Sequence, residues 1–278
     1  MDSLDTATRG VAPESAVKAL TVQIGEISIR LHPESTSFNE PLSDRFFGFL
    51  TEHRPVMAAD LDVLLAGRDA VSDREISVSR SGPLWRIERG DFLAEWNPLS
   101  RRGWVKQSAN PHPTDTVLRI VHSLLLAEEG GFLLHASSAV RNGRAFLFAG
   151  VSGAGKTTIA HLAPQDAVLL TDEISYIRPN GEEYRAYGTP FAGSLQKPGE
   201  NIFAPVACAF LLEKGLENRI DDVDVATAAR SLLRNVLFFA RDTELASRVF
   251  EGILDFVSRV PVKRLIFEPD ERVWELIR

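Results

Sequence analysis

The chain has 278 residues and a formal net charge of -7, with 44% hydrophobic and 25% charged residues, the balance of a folded protein of one large domain or two modest ones. Its single cysteine, Cys208, excludes an intramolecular disulfide and a cysteine-based metal cluster, and the acidic balance with no basic stripe speaks against a nucleic-acid partner. No apolar run approaches a membrane span, and the start Met1-Asp2-Ser3-Leu4-Asp5 is unlike a signal peptide, so a reducing cytoplasm without membrane attachment is expected.

Residues 1 to about 16 read as a disordered tail. Leu20, Val22 and Ile24, then Ile27, Ile29 and Leu31, alternate with other residues at strand period, with Gly25-Glu26 as a turn or bulge between them. Phe46, Phe47, Phe49 and Leu50 suggest a short helix. Leu84–Glu88 and Phe92–Trp96 flank Arg89-Gly90-Asp91 as a hairpin, where a glycine turn explains the triplet better than an adhesion motif. Residues 17–110 are therefore expected to form a β-rich module without visible chemistry.

Pro111-His112-Pro113 reads as a linker into a second region, residues 111–278. Thr114 or Asp115 is placed to cap a helix carrying Val117, Leu118, Val121, Leu124 and Leu125, which Gly130-Gly131 ends. Phe132–Val140 and Ala145–Ala149 form a hairpin around Asn142-Gly143, a pair in which both residues tolerate positive φ. A helix over Ile159–Leu162 and a strand over Ala167–Leu170 follow. Ile174–Ile177 and Tyr184–Tyr187 flank another turn. Val206–Leu212 reads as a strand in which Cys208 is a buried residue rather than a reactive thiol. Val225–Phe239 and Thr243–Val257 read as helices, Pro261–Phe267 as a strand and Glu271–Ile277 as a short helix.

The chemistry is concentrated in Gly150-Val151-Ser152-Gly153-Ala154-Gly155-Lys156-Thr157, a full match to G-x-x-x-x-G-K-[ST]. The glycines let successive N–H groups turn toward phosphate oxygens, and the following helix adds the positive end of its dipole. Lys156 is expected on the β- and γ-phosphates, the Thr157 hydroxyl on Mg²⁺, and Thr158 beside them. A chance match in a chain this long arises on the order of one time in a hundred. The apolar strand before the loop and the helical segment after it are the context this motif requires. ATP with Mg²⁺ is the expected ligand.

Val168-Leu169-Leu170 ends in Thr171-Asp172-Glu173, and sixteen residues separate Lys156 from Asp172. One short helix, a turn and a strand fit that spacing, which brings the acids back beside the loop. Asp172 is a candidate to hold Mg²⁺ or to take a proton from an attacking hydroxyl, with Glu173 in the other role. Arg185 and Arg219 are candidate extra phosphate clamps. His135 lies one hairpin before the loop, where periodicity alone reads as a core histidine.

Gly131-Phe132-Leu133-Leu134-His135-Ala136, the loop, and Leu170-Thr171-Asp172-Glu173 resemble the HPr kinase/phosphorylase superfamily, nearest to its peptide-kinase-like relatives. Gly188-Thr189-Pro190-Phe191, Phe210–Gly215 and the ending Val260-Pro261-Val262 with Phe267–Asp270 extend the resemblance over roughly 112–278. It implies an α/β fold like that of phosphoenolpyruvate carboxykinase, a mixed sheet with a phosphate loop, and phosphoryl transfer from ATP. It also implies that Asp172 is the base, that His135 stands near the phosphates, and that the chain forms oligomers. Asp172-Glu173 replaces the two aspartates of HPr kinases, and the segment that engages HPr is not found, so the acceptor expected is another peptide, a protein or a small molecule. Two alternatives stand beside the kinase: a P-loop ATPase acting on water, and a non-catalytic nucleotide-binding regulator.

Overall fold

The computed structural model describes residues 17–52, 58–67 and 75–278; the expected tail at 1–16 lies outside the described residues. The chain is mixed α/β with two mixed sheets. The first contains β1 (Leu20–Ile24), β2 (Ile27–Pro33), β3 (Ala58–Leu65), β4 (Ser77–Ser81), β5 (Leu84–Arg89), β6 (Phe92–Asn97) and β7 (Arg102–Gln107), in the order β1-β2-β3-β7-β6-β5-β4. β3 runs parallel to both β2 and β7, and the other pairs are antiparallel. Gly25 and Glu26 both take positive φ, 57° and 68°. They make the two-residue turn whose twist matches the flanking strands. The Arg89-Gly90-Asp91 triplet is a turn closed on itself: Arg89 Nε donates to Asp91 Oδ1 at 2.6 Å, and Asp91 is buried.

Four sequence expectations are corrected. The helix near Phe46 is instead α1 (Asn39–Arg45), and the phenylalanines follow it, because Gly48 at φ 84° turns the chain out of helix. Pro111-His112-Pro113 is no linker but the start of α2 (His112–Glu128), since proline in a first helical turn gives up only N–H groups that would be unpaired anyway. Neither Thr114 nor Asp115 caps it: the Thr114 hydroxyl donates to Gln107 Oε1 at 2.7 Å, and Asp115 is a buried ion-pair partner. The helix expected over 225–239 stops as α4 (Val225–Leu233). The backbone beyond it joins the second sheet instead, with His135 N donating to Asn235 O at 2.7 Å and Leu237 N to Leu133 O at 2.9 Å.

The second sheet contains β8 (Phe132–Arg141), β9 (Arg144–Ala149), β10 (Ala167–Thr171), β11 (Ile174–Asn180), β12 (Glu183–Tyr187), β13 (Phe203–Lys214), β14 (Arg219–Asp222) and β15 (Val262–Phe267). Its order is β10-β8-β11-β12-β13-β15-β14, with β9 between β8 and β13. Asn142 (φ 53°) and Gly143 (φ 72°) form the β8–β9 turn. β9 is buried on both faces and sorts its side chains by period two. Ala145, Leu147 and Ala149 face a core shared with α4 and α5 (Thr243–Arg259). Phe146 and Phe148 face one shared with Phe210, Phe267 and Trp274. Helix α2 is buried nearly all round and shares a core with the first sheet, as expected of a helix between two layers. Among the described residues, no helix is long and apolar enough to cross a membrane.

His122 of α2 is completely buried, with Nδ1 3.0 Å from the Tyr176 hydroxyl. Burial, helped by Arg178, pushes its imidazole down to about 3. The folded state therefore keeps His122 neutral while the unfolded chain protonates it below about 6.5. Stability should fall as pH drops from about 6.5 toward 3, by about 2 kcal/mol between pH 7 and pH 5 from this residue. Urea midpoints at the two pH values should differ less in His122→Leu than in wild type; an unchanged difference would remove this assignment.

Candidate active site

β9 ends at Ala149, in register with Leu211 of the parallel strand β13. The chain then turns through Gly150–Gly155 and enters α3 (Lys156–His161). Gly153 and Gly155 take φ of 79° and 109°, conformations that side chains disfavour. A Cβ on Gly155 would also stand 2.6 Å from Phe267 Cζ. The buried Ser137 hydroxyl of β8 donates to Lys156 O at 3.1 Å and ties the helix start to the sheet. Lys156 is 9% exposed, and its ammonium folds back onto the loop, donating to Gly150 O at 2.8 Å and Val151 O at 3.2 Å. Burial pushes this ammonium down, and Glu173 partly offsets the effect.

Ser152, Gly153, Gly155, Lys156, Thr157 and Thr158 line one side of a cleft of about 470 Å³. His135, Asp172, Glu173, Ser194 and Lys214 line the rest. Of the residues expected at the loop, Gly150 and Val151 serve through their carbonyls, the Val151 side chain stands in solvent, and Ala154 packs into the core beneath. Cys208 is buried, its thiol pushed up to about 12 by burial. Arg185 and Arg219 do not line this cleft. Arg185 lies over the Phe203 ring, and Arg219 pairs with Glu217 and Asp221 on an exposed strand.

Asp172 follows β10 and is 3% exposed. Oδ1 accepts from Gly193 N and Oδ2 from Leu195 N, both at 2.8 Å. The carboxylate is thus oriented by a strap, residues 190–201, that folds over the end of β10. Thr189 N donates to Leu170 O and Glu200 N to Leu169 O, at 3.1 and 3.0 Å. Glu173 is half-buried. Burial pushes its carboxyl up, Arg119 pulls it back, and Asp172 and Asp115 push it further up. Arg119 Nη1 lies 3.7 Å from Glu173 Oε2. His135 pairs with Ile174 across β8 and β11, one residue past the acids. Burial and the Lys156 charge push its imidazole down, which favours the neutral form at neutral pH.

Ser194 and Arg119 carry no motif, and although Pro190-Phe191 at the start of the strap and Lys214 fall in segments of the family resemblance, no local pattern marks them as neighbours of the acids. The nearest signal is the run of small residues around Gly193. A Cβ there would lie 2.7 Å from Glu173 Cβ and 2.9 Å from Asp172 Oδ2. Gly193→Ala should therefore displace the acids and destabilise the fold by about 1–3 kcal/mol, the usual range for overpacking. Thermal melts and turnover measure both effects, and a wild-type-like variant would show that the strap yields freely.

The family described as SynChlorMet cassette protein ScmC matches residues 114–278. The chain belongs to this family. The ScmC-family region begins in α2 and runs through the second sheet to the C-terminal residue, so it contains every residue lining the cleft. Among solved structures, the HPr(Ser) kinase/phosphatase from Coxiella burnetii aligns over 52% of this chain and 85% of its own, at 12% identity and a TM-score of 0.29. No curated protein matches the chain.

Proposed function

We propose that this chain is an ATP- and Mg²⁺-dependent kinase that moves the γ-phosphoryl group to a hydroxyl of a peptide, protein or small-molecule acceptor. In this reading residues 111–278 form an HPr kinase-like domain with a phosphoenolpyruvate carboxykinase-like fold, and residues 17–110 form a separate module packed on it. One observation carries the reading. The glycine loop with Lys156 and Thr157, the acids Asp172 and Glu173, and His135 open into a single cleft.

The loop N–H groups and Lys156 bind the phosphates and stabilise charge on the transferring group. Lys156 releases the Gly150 and Val151 carbonyls to do so. Asp172, held by two backbone N–H groups, keeps further lone pairs for the acceptor hydroxyl, whose proton it takes as oxygen attacks the γ-phosphorus. The bond to the β-phosphate oxygen breaks, leaving ADP and a phosphorylated acceptor. His135 lies near the γ-phosphate.

Thr157, Asp172 and Glu173 suit Mg²⁺, which takes few protein oxygens and completes its shell with phosphate and water. When bound, the ion neutralises developing phosphate charge.

Purified protein given γ-labelled ATP and Mg²⁺, with and without size-fractionated cell extract, tests the reading. Label moving to an extract component supports a kinase. Free phosphate released at the same rate in both cases would mean an ATPase, with Asp172 and Glu173 acting on water. Binding without turnover would mean a regulator.

A further inference from the structure

One arginine connects the first sheet's region to the acid pair. Arg45, the last residue of α1, donates from Nη1 to Pro190 O at 2.7 Å and from Nη2 to Asp115 Oδ1. Its side chain is only 15% exposed. Pro190 opens the strap whose Gly193 and Leu195 amides orient Asp172. The far end of the strap is tied to the same turn, with Asn201 Nδ2 donating to Gly48 O at 3.1 Å. Asp115 is buried and shared: Arg119 Nε lies 2.8 Å from its Oδ2, and the same guanidinium reaches Glu173 and covers the Phe191 ring at 5.0 Å. Burial pushes the Asp115 carboxyl up, and Arg119 and Arg45 pull it back.

We infer that Arg45 is a positioning residue for the acid pair. Through it, the N-terminal region braces both the strap that orients Asp172 and the Asp115–Arg119 pair behind Glu173. Arginine suits the task because its planar fork serves a carboxylate and a carbonyl at once, which a lysine point charge does not. The brace rests on this geometry; its consequence for turnover rests on the kinase reading.

The test uses the full chain with Arg45→Met and Arg45→Lys, reading amide hydrogen exchange over residues 190–201 and steady-state kinetics. Arg45→Met should raise exchange in the strap about tenfold or more, as expected of a locally opened segment. It should lower kcat about 10- to 100-fold, the scale on which small misplacements act, with the KM for ATP within about twofold. Arg45→Lys should recover part of both losses. If Arg45→Met does not fold, Asn201→Ala removes the second tether from an exposed position and should show the same pattern in milder form. Unchanged exchange over 190–201, or equal changes in kcat and KM, would overturn the inference. If the wild-type chain transfers no phosphoryl group, the kinase reading fails, and the exchange comparison still decides the brace.

Discussion

Lys156→Ala should give a folded protein with turnover reduced by at least about 10²- to 10³-fold, the scale for losing one preorganised charge-stabilising donor. The side chain is almost fully buried, yet no carboxylate lies within ion-pair distance of it among the described residues. Among the described residues its ammonium donates to two carbonyls of its own loop, Gly150 O and Val151 O. Because burial already disfavours the charge, removing it should cost little stability. The melting temperature should shift by no more than a few degrees while calorimetric ATP affinity falls by about tenfold or more. Wild-type-like turnover would move the chemistry away from this loop. Collapse of the fold would mean that Lys156 is structural.

Asp172→Asn should abolish transfer while leaving ATP affinity within several-fold of wild type. A general base contributes about 10²- to 10⁴-fold, which sets the expected loss. The structure adds a second consequence. Each carboxylate oxygen accepts one backbone N–H, from Gly193 and from Leu195. Asparagine offers one acceptor and one NH₂, so one of those N–H groups would face a donor. That mismatch should cost about 1–3 kcal/mol, visible in a thermal melt. Lost turnover alone is therefore ambiguous, and Gly193→Ala is the control, since it disturbs the strap and keeps the carboxylate. If Asp172→Asn loses transfer at least about tenfold beyond Gly193→Ala, the carboxylate acts in the reaction itself. Equal losses would make Asp172 an anchor for the strap.

The parts of this molecule legible from sequence are those set by local rules. The period-two alternation of Leu20–Leu31, the Asn142-Gly143 turn, the strand–loop–helix around Gly150–Lys156 and the Asp172-Glu173 strand end follow from backbone sterics and side-chain alternation among near neighbours. Where the structure departs from the sequence expectation, the ambiguity is local as well. Prolines at 111 and 113 break a helix interior but suit its start, and the apolar run after Leu233 is as good a sheet neighbour as a helix.

Tertiary structure decided which residues surround the acids. Gly193 and Leu195 lie 21 and 23 positions from Asp172, Arg119 lies on a helix before the second sheet, and Arg45 lies 145 positions from Pro190. None of these contacts has a spacing that a periodic pattern encodes. Each exists because burying both faces of β9 and nearly all of α2 brings distant segments into one place. The sequence alone determined the loop and the order of its chemical groups. Only the packed fold determined how the acids are held, because hydrogen bonds between distant segments depend on burial that no single segment specifies.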